Sequence, residues 1–188
     1  MAEFNPLQRQ PDTLDFASPS QFRFGLLKIP NTIYFVTRVN IPGIAFSGDA
    51  IMNSRYKAMP FMGDTLEYSP MEITFLVSED LSNYREIHDW MTGIGFPKDP
   101  EQFASAIAAE QTKPGAAIAN PTVNPSALVS DGTLTILSNK NNPLINVNYK
   151  ALYPTSLSGL DYDSQTADSN QLTASVTMNY DLYEFETL

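Results

Sequence analysis

A mainly β domain, a β-sandwich or barrel with one flanking α-helix and a long extended loop, is the fold that the 188 residues predict. Three observations lead there. About seven segments are rich in β-branched and aromatic residues between turn signals. A single segment keeps a sustained helical period. No strand–helix–strand rhythm of the kind that builds a parallel sheet is visible.

The length suits one domain over 1–188, long enough to bury roughly two-thirds of its unfolded surface. An apolar fraction of 43% and a charged fraction of 17% argue against a disordered chain, while 14 prolines predict many irregular connections. Zero cysteines exclude disulfides and thiolate chemistry, so stability must come from packing. Residues 1–20 read as an N-terminal extension. Met1 to Pro11 are polar, unlike the apolar core of a signal peptide, and predict no secretion. Runs such as Ile33 to Val36 and Ile73 to Val77 are too short to span a membrane.

Phe22 to Lys28, the turn Ile29-Pro30-Asn31 and Thr32 to Ile41 predict two strands in a hairpin, ended by Pro42 and Gly43. Residues 44–69 show no sustained period yet carry Phe46, Ile51, Met52, Tyr56, Met59, Phe61, Met62, Leu66 and Tyr68, around Arg55. Apolar groups gain nothing by standing in water, so such a loop either packs on its own domain or is an arm docking on a neighbouring copy. Met71, Ile73, Phe75 and Val77 alternate on a half-buried strand. Leu81, Tyr84, Ile87, His88 and Met91 then recur at helical spacing, with Asn83 and Glu86 resembling a capping pair and Gly93 and Gly95 as stop signals. Residues 97–130, with five prolines around the alanine-rich Phe103 to Glu110, read as an insertion. Gly132 to Leu137 and Leu144 to Leu152 are strands about the turn Asn139 to Asn142, and Leu172 to Phe185 is one long final strand.

Net charge is −10. From Asp161 onward there are six acids and no Lys or Arg, residues 61–100 carry another excess of six, and the rest sums to plus two. This opposes binding to nucleic acid through phosphates, which needs clustered cations. It leaves either an ordinary solvated surface or one that must repel an anion.

Catalytic and metal motifs fail together. The single histidine, His88, lies in the helix beside Asp89, on or near its buried face, where a structural role is the ordinary one. Ser156, Ser158, Asp161 and Asp163 lack a nucleophile turn and have no base except His88. Asp161, Asp163 and Asp168 lack the glycine and terminal glutamate of a calcium loop. The glycines follow the helix and so form no phosphate cradle. The expectation is a non-enzyme with no cofactor and no metal.

Three segments resemble the tail tube proteins of contractile-tailed, T4-like bacteriophages. Ala151-Leu152-Tyr153-Pro154-Thr155 through Asp161-Tyr162-Asp163 looks like that family's strand ending in aromatic-Pro-Thr before an acidic, aromatic turn. Thr173 to Phe185, with Tyr180 and Tyr183, is similar to its final strand. Tyr84 to Met91, with Trp90, matches its single helix. Ser20-Gln21-Phe22-Arg23-Phe24 and Asn40-Ile41-Pro42-Gly43 fit the opening pattern, and the insertion 97–130 is longer than that pattern.

The resemblance implies two antiparallel sheets flanked by a helix, with six copies in a ring and rings stacked into a hollow tube through which DNA passes unbound. It makes 44–69 the inter-ring loop, with Phe46, Ile51, Met52, Arg55, Tyr56, Met59, Phe61 and Met62 at the interface. It suggests Asp181 and Glu184 as lumen-facing acids. The implied partners are further copies, tail sheath, baseplate and tail terminator proteins, with no membrane, in a virion assembled in the host cytoplasm. Two alternatives stand beside it: a tube initiator or baseplate-to-tube adaptor of the same fold, and a monomeric small-ligand-binding β-barrel with the long loop as its lid.

Overall fold

The computed structural model describes residues 15–26, 28–48, 50–53, 55–61, 63–95, 97–98, 101, 103–104, 128–163 and 171–188. Most of the predicted extension and insertion, with Met62 and Asp168, lies outside the described residues.

The described chain is mainly β. The strands are β1 (Phe22–Leu26), β2 (Val36–Val39), β3 (Ile44–Ser47), β4 (Ala50–Asn53), β5 (Ala58–Phe61), β6 (Thr65–Tyr68), β7 (Met71–Leu76), β8 (Ser130–Leu137), β9 (Pro143–Leu157), β10 (Thr173–Asn179) and β11 (Leu182–Thr187). Helix α1 (Pro30–Tyr34) lies between β1 and β2, and α2 (Ser82–Gly95) follows β7.

Every pairing is antiparallel. The path β1-β8-β9-β10-β7-β2, with β11 also on β9, folds into two halves because β9 serves both. Its first part pairs with β8 and β11, and its second part, from Tyr153, pairs with β10. The corner is a bulge at Ala151 (φ 56°), a left-handed conformation costly for a residue with a Cβ. The Ala151 N–H donates to Asp131 Oδ1 at 3.0 Å, which satisfies the backbone group that the bulge frees. Gly132 fits beneath the corner because a Cβ there would meet Leu152 Cδ1 at 2.5 Å.

Between the halves lies a core of Phe24, Leu26, Ile73, Phe75, Ile87, Leu134, Val147, Leu152, Val176 and Met178, all buried. The period-two pattern of β7 and β10 delivers alternate residues to it, as the sequence predicts. On α2, Ile87 and Trp90 are buried, and Trp90 Nε1 donates to Leu128 O at 2.8 Å.

Six expectations change. Strands β1 and β2 form no hairpin; they join opposite halves, on β8 and β7. The intervening turn is α1, a second helix that begins at Pro30, whose fixed φ suits a first helical turn. Glu86 serves α1 instead of capping its own helix: its Oε2 accepts from the Thr32 N–H at 3.2 Å, and Asn83 Nδ2 donates to Leu76 O. His88 is exposed beside Asp89 at 3.4 Å, off the buried face, and Gly93 lies inside α2. The long final strand is two strands, because the chain changes halves at Tyr180-Asp181.

Candidate functional site

The apolar loop is a β arm. β3 pairs with β6 and β4 with β5, so residues 44–68 run out and back as two short ladders around Gly48 (φ 81°). Each of these strands is four residues long, too short for a sustained period, and among the described residues each pairs with its ladder partner. Opposed residues in an antiparallel pair share a face, which places Ile44, Phe46, Leu66 and Tyr68 on one side and Ala45, Ser47, Thr65 and Glu67 on the other.

The base of that apolar side is packed on the domain through Tyr68, while its outer part is open, with Phe46 58% exposed. On the second ladder Ile51, 66% exposed, lies on one face and the exposed Met59 and Phe61 on the other, with Arg55 and Tyr56 (91%) exposed between the strands. Of the remaining residues predicted at this surface, Met52 contributes its backbone to β4 and its side chain lies outside the described residues, as does all of Met62. Large apolar groups standing together in water mark a surface awaiting a partner.

The arm leaves the domain at a fixed place. The Ser69 N–H donates to Gly43 O at 3.0 Å across its base. Tyr180 Oη donates to Ser69 O at 2.9 Å, and Tyr183 Oη to Pro42 O at 3.2 Å. Tyr68 meets both rings edge-on, with centroids 6.0 and 5.6 Å away. Tyr149 lies beneath, fully buried, its hydroxyl without a hydrogen-bond partner among the described residues. Burial, then the neighbouring Tyr180 and Tyr183, pushes the Tyr149 hydroxyl well above the usual phenol range. Burial, then Tyr183 and Tyr68, raises Tyr180 to about 12. The sequence reading noted Tyr180 and Tyr183 without this role; their offset across the β10–β11 bend conceals that they converge.

A second surface is the outer face of the half formed by β1, β8, β9 and β11. Its rows run Arg23–Thr135–Asn146–Glu186 and Gly25–Thr133–Asn148–Glu184. Thr133 and Thr135 donate to Asn148 and Asn146 Oδ1 at 3.1 and 2.8 Å, and Asn148 Nδ2 donates to Glu186 at 3.1 Å. The face is polar, and much of its hydrogen-bonding capacity is used within it. Of the two acids proposed for the lumen, Glu184 lies on this face and pairs with Lys150 Nζ at 3.0 Å, and Asp181 is exposed at the bend before β11. Alternation of Thr, Asn and Glu in the three strands was the available signal for this polar face, and only its acidic end was read.

Two antiparallel halves sharing a bent strand, a flanking helix and a projecting β arm define a class by fold, one that the chain shares with chains of two solved anti-feeding prophage assemblies. Among solved structures it is similar to a chain of the anti-feeding prophage (AFP) baseplate, 6-fold symmetrised, with a TM-score of 0.55 at 10% identity over 93% of this chain and 97% of the other. It is also similar to a chain of the anti-feeding prophage cap, the AFP tube terminating cap, with a TM-score of 0.54 at 10% identity over 98% and 100%. No protein-family model and no curated protein sequence matches it. At such identities the likeness is one of fold.

Proposed function

We propose that this protein is a structural subunit, not an enzyme, that assembles with its own copies into rings and stacks the rings into the hollow tube of a contractile tail. The observation that carries this reading is the arm: a ladder with exposed Phe46, Ile51, Tyr56 and Phe61, held at a set angle by Tyr180 and Tyr183. Burying such groups between copies is the physical gain that drives stacking. In the finer reading the ring is hexameric and the tube belongs to a phage virion, built in the host cytoplasm with sheath, baseplate and terminator proteins. DNA passes through it during ejection. The polar face formed by β8, β9 and β11 supports a lumen of that kind, because its Thr and Asn side chains are bonded to one another, its Lys150 is paired with Glu184, and Glu186 adds a further negative charge, so phosphate finds little to hold.

A position at the end of the tube, as initiator, adaptor or terminator, is a second reading, raised by the place of the two structural neighbours in a baseplate and a cap. The ligand-binding alternative fits less well. The arm's aromatic residues stand in solvent, and the groove of about 610 Å³ beside β1 is lined by other residues.

Sedimentation velocity over a concentration series tests the assembly reading. Ring-sized and larger species growing with concentration are expected, and a monomer at every concentration overturns it. Growth that stops at single rings selects the end position.

A further inference from the structure

The ribbon of β2 and β7 is interrupted where the arm begins. Pairing of β2 with β7 ends at Val39 and Ile73, and pairing of β3 with β6 starts at Ile44 and Tyr68. The two legs between carry Pro42-Gly43 and Ser69-Pro70. Neither proline has an N–H to give, so the legs make a hinge whose main chain is poor in donors. The Ser69 N–H on Gly43 O ties the legs to each other. Tyr180 Oη on Ser69 O and Tyr183 Oη on Pro42 O tie them to β11 and to the bend before it.

A third hydroxyl stands under these two. Tyr149 is opposite Tyr183 in the β9–β11 register, with ring centroids 5.6 Å apart, and its ring lies 5.3 Å from that of Tyr180. Its side chain is fully buried, and its hydroxyl has no partner among the described residues. Burial holds the proton on the oxygen, which makes the group a donor without an acceptor. Phenylalanine would pack at this position without the penalty of an unpaired buried hydroxyl, so the oxygen calls for a reason. The acceptors that its two ring neighbours use are the hinge carbonyls. Ser69 O and Pro42 O each accept one bond from a tyrosine, and a carbonyl oxygen has lone pairs for two.

Resting on the subunit reading above, we propose that the arm has two seatings on this tyrosine cluster. In the one described, Tyr180 and Tyr183 hold the hinge while Tyr149 stays unpaired. In the other, taken when a neighbouring copy covers the exposed Phe46 and Ile51, the hinge settles inward and Ser69 O or Pro42 O accepts from Tyr149 as well. A change of shape on contact requires a difference in interaction between the two states, and the third hydrogen bond supplies it. Tyr149 is thus a positioning residue whose bond is made only in the assembled arm. The lone subunit carries the unpaired hydroxyl as a cost, and docking removes it.

The test uses the full chain in three forms: wild type, Tyr149→Phe and Tyr180→Phe. Tyr149→Phe deletes an unpaired hydroxyl from the lone subunit, so the melting temperature of the dilute, unassembled protein should rise by roughly 2–6 °C. The same substitution takes a bond from the stacked state, so the concentration at which stacks pellet should rise about tenfold. Tyr180→Phe deletes a bond already made and should lower the melting temperature. A side chain that only fills the core would move stability and stacking in the same direction, so the opposite signs for Tyr149→Phe are the signature. If wild type stacks and Tyr149→Phe stacks at the same concentration, or if Tyr149→Phe lowers the melting temperature, the hydroxyl is idle or already satisfied by a buried water. The second seating is then wrong and the subunit reading stands. If wild type forms no stacks at any concentration, the subunit reading falls, and the second seating with it.

Discussion

Replacing Phe46 by alanine separates a stacking arm from an ornamental one. Phe46 lies on the apolar side of the β3–β6 ladder, opposite Leu66, and is 58% exposed. With about 200 Å² for a phenylalanine side chain, roughly 115 Å² remains to be covered by a neighbouring ring, worth about 3 kcal/mol when fully buried. A subunit that loses this should need on the order of 100-fold higher concentration to stack. The monomer loses only one exposed cross-strand pair, less than about 1 kcal/mol, so thermal unfolding should barely move. Pelleting of tubes across a concentration series, beside a melting curve of the unassembled protein, reads both quantities. Stacking at the wild-type concentration by the folded variant would refute the assignment of this face to the ring-to-ring contact.

Three further outcomes follow from the fold. Gly132→Ala should destabilise the domain by about 1–3 kcal/mol in a denaturant titration, because the new Cβ overlaps Leu152 Cδ1 at the sheet corner. Ala151→Gly should stabilise it by about 1 kcal/mol in the same assay, since glycine adopts φ 56° without a Cβ penalty. In alkali, Tyr180 keeps its proton to about pH 12 in the folded state, and Tyr149 resists ionisation further, while the unfolded tyrosines ionise near pH 10. The stability they contribute is therefore complete below about pH 10 and declines as pH rises toward 12, and Tyr180→Phe should flatten that decline in melting curves recorded at successive pH values.

The parts of this fold legible in the sequence are those whose pattern is local. β7 and β10 show alternation because one side of each meets the core, and α2 shows its period because Ile87 and Trp90 face the same core. The hairpin expected at 22–41 failed for a non-local reason. Pro30 reads equally as a turn or as the first residue of a helix, and Glu86, over fifty residues away, decides for the helix by accepting from the Thr32 N–H. The arm was visible as an excess of apolar residues with no sustained period, since each of its strands is only four residues long and the alternation of Thr65-Leu66-Glu67-Tyr68 ends where the strand does. The tyrosine anchor could not be read at all, because Tyr68, Tyr149, Tyr180 and Tyr183 meet only after β9 bends and the chain crosses between halves.

Electron microscopy of the concentrated protein at neutral pH tests self-assembly most directly. The account predicts rings with an open centre and stacks of constant diameter, lost when Phe46 and Ile51 are both replaced by serine while the fold is retained. Dispersed single particles at every concentration, with the arm intact, would contradict it.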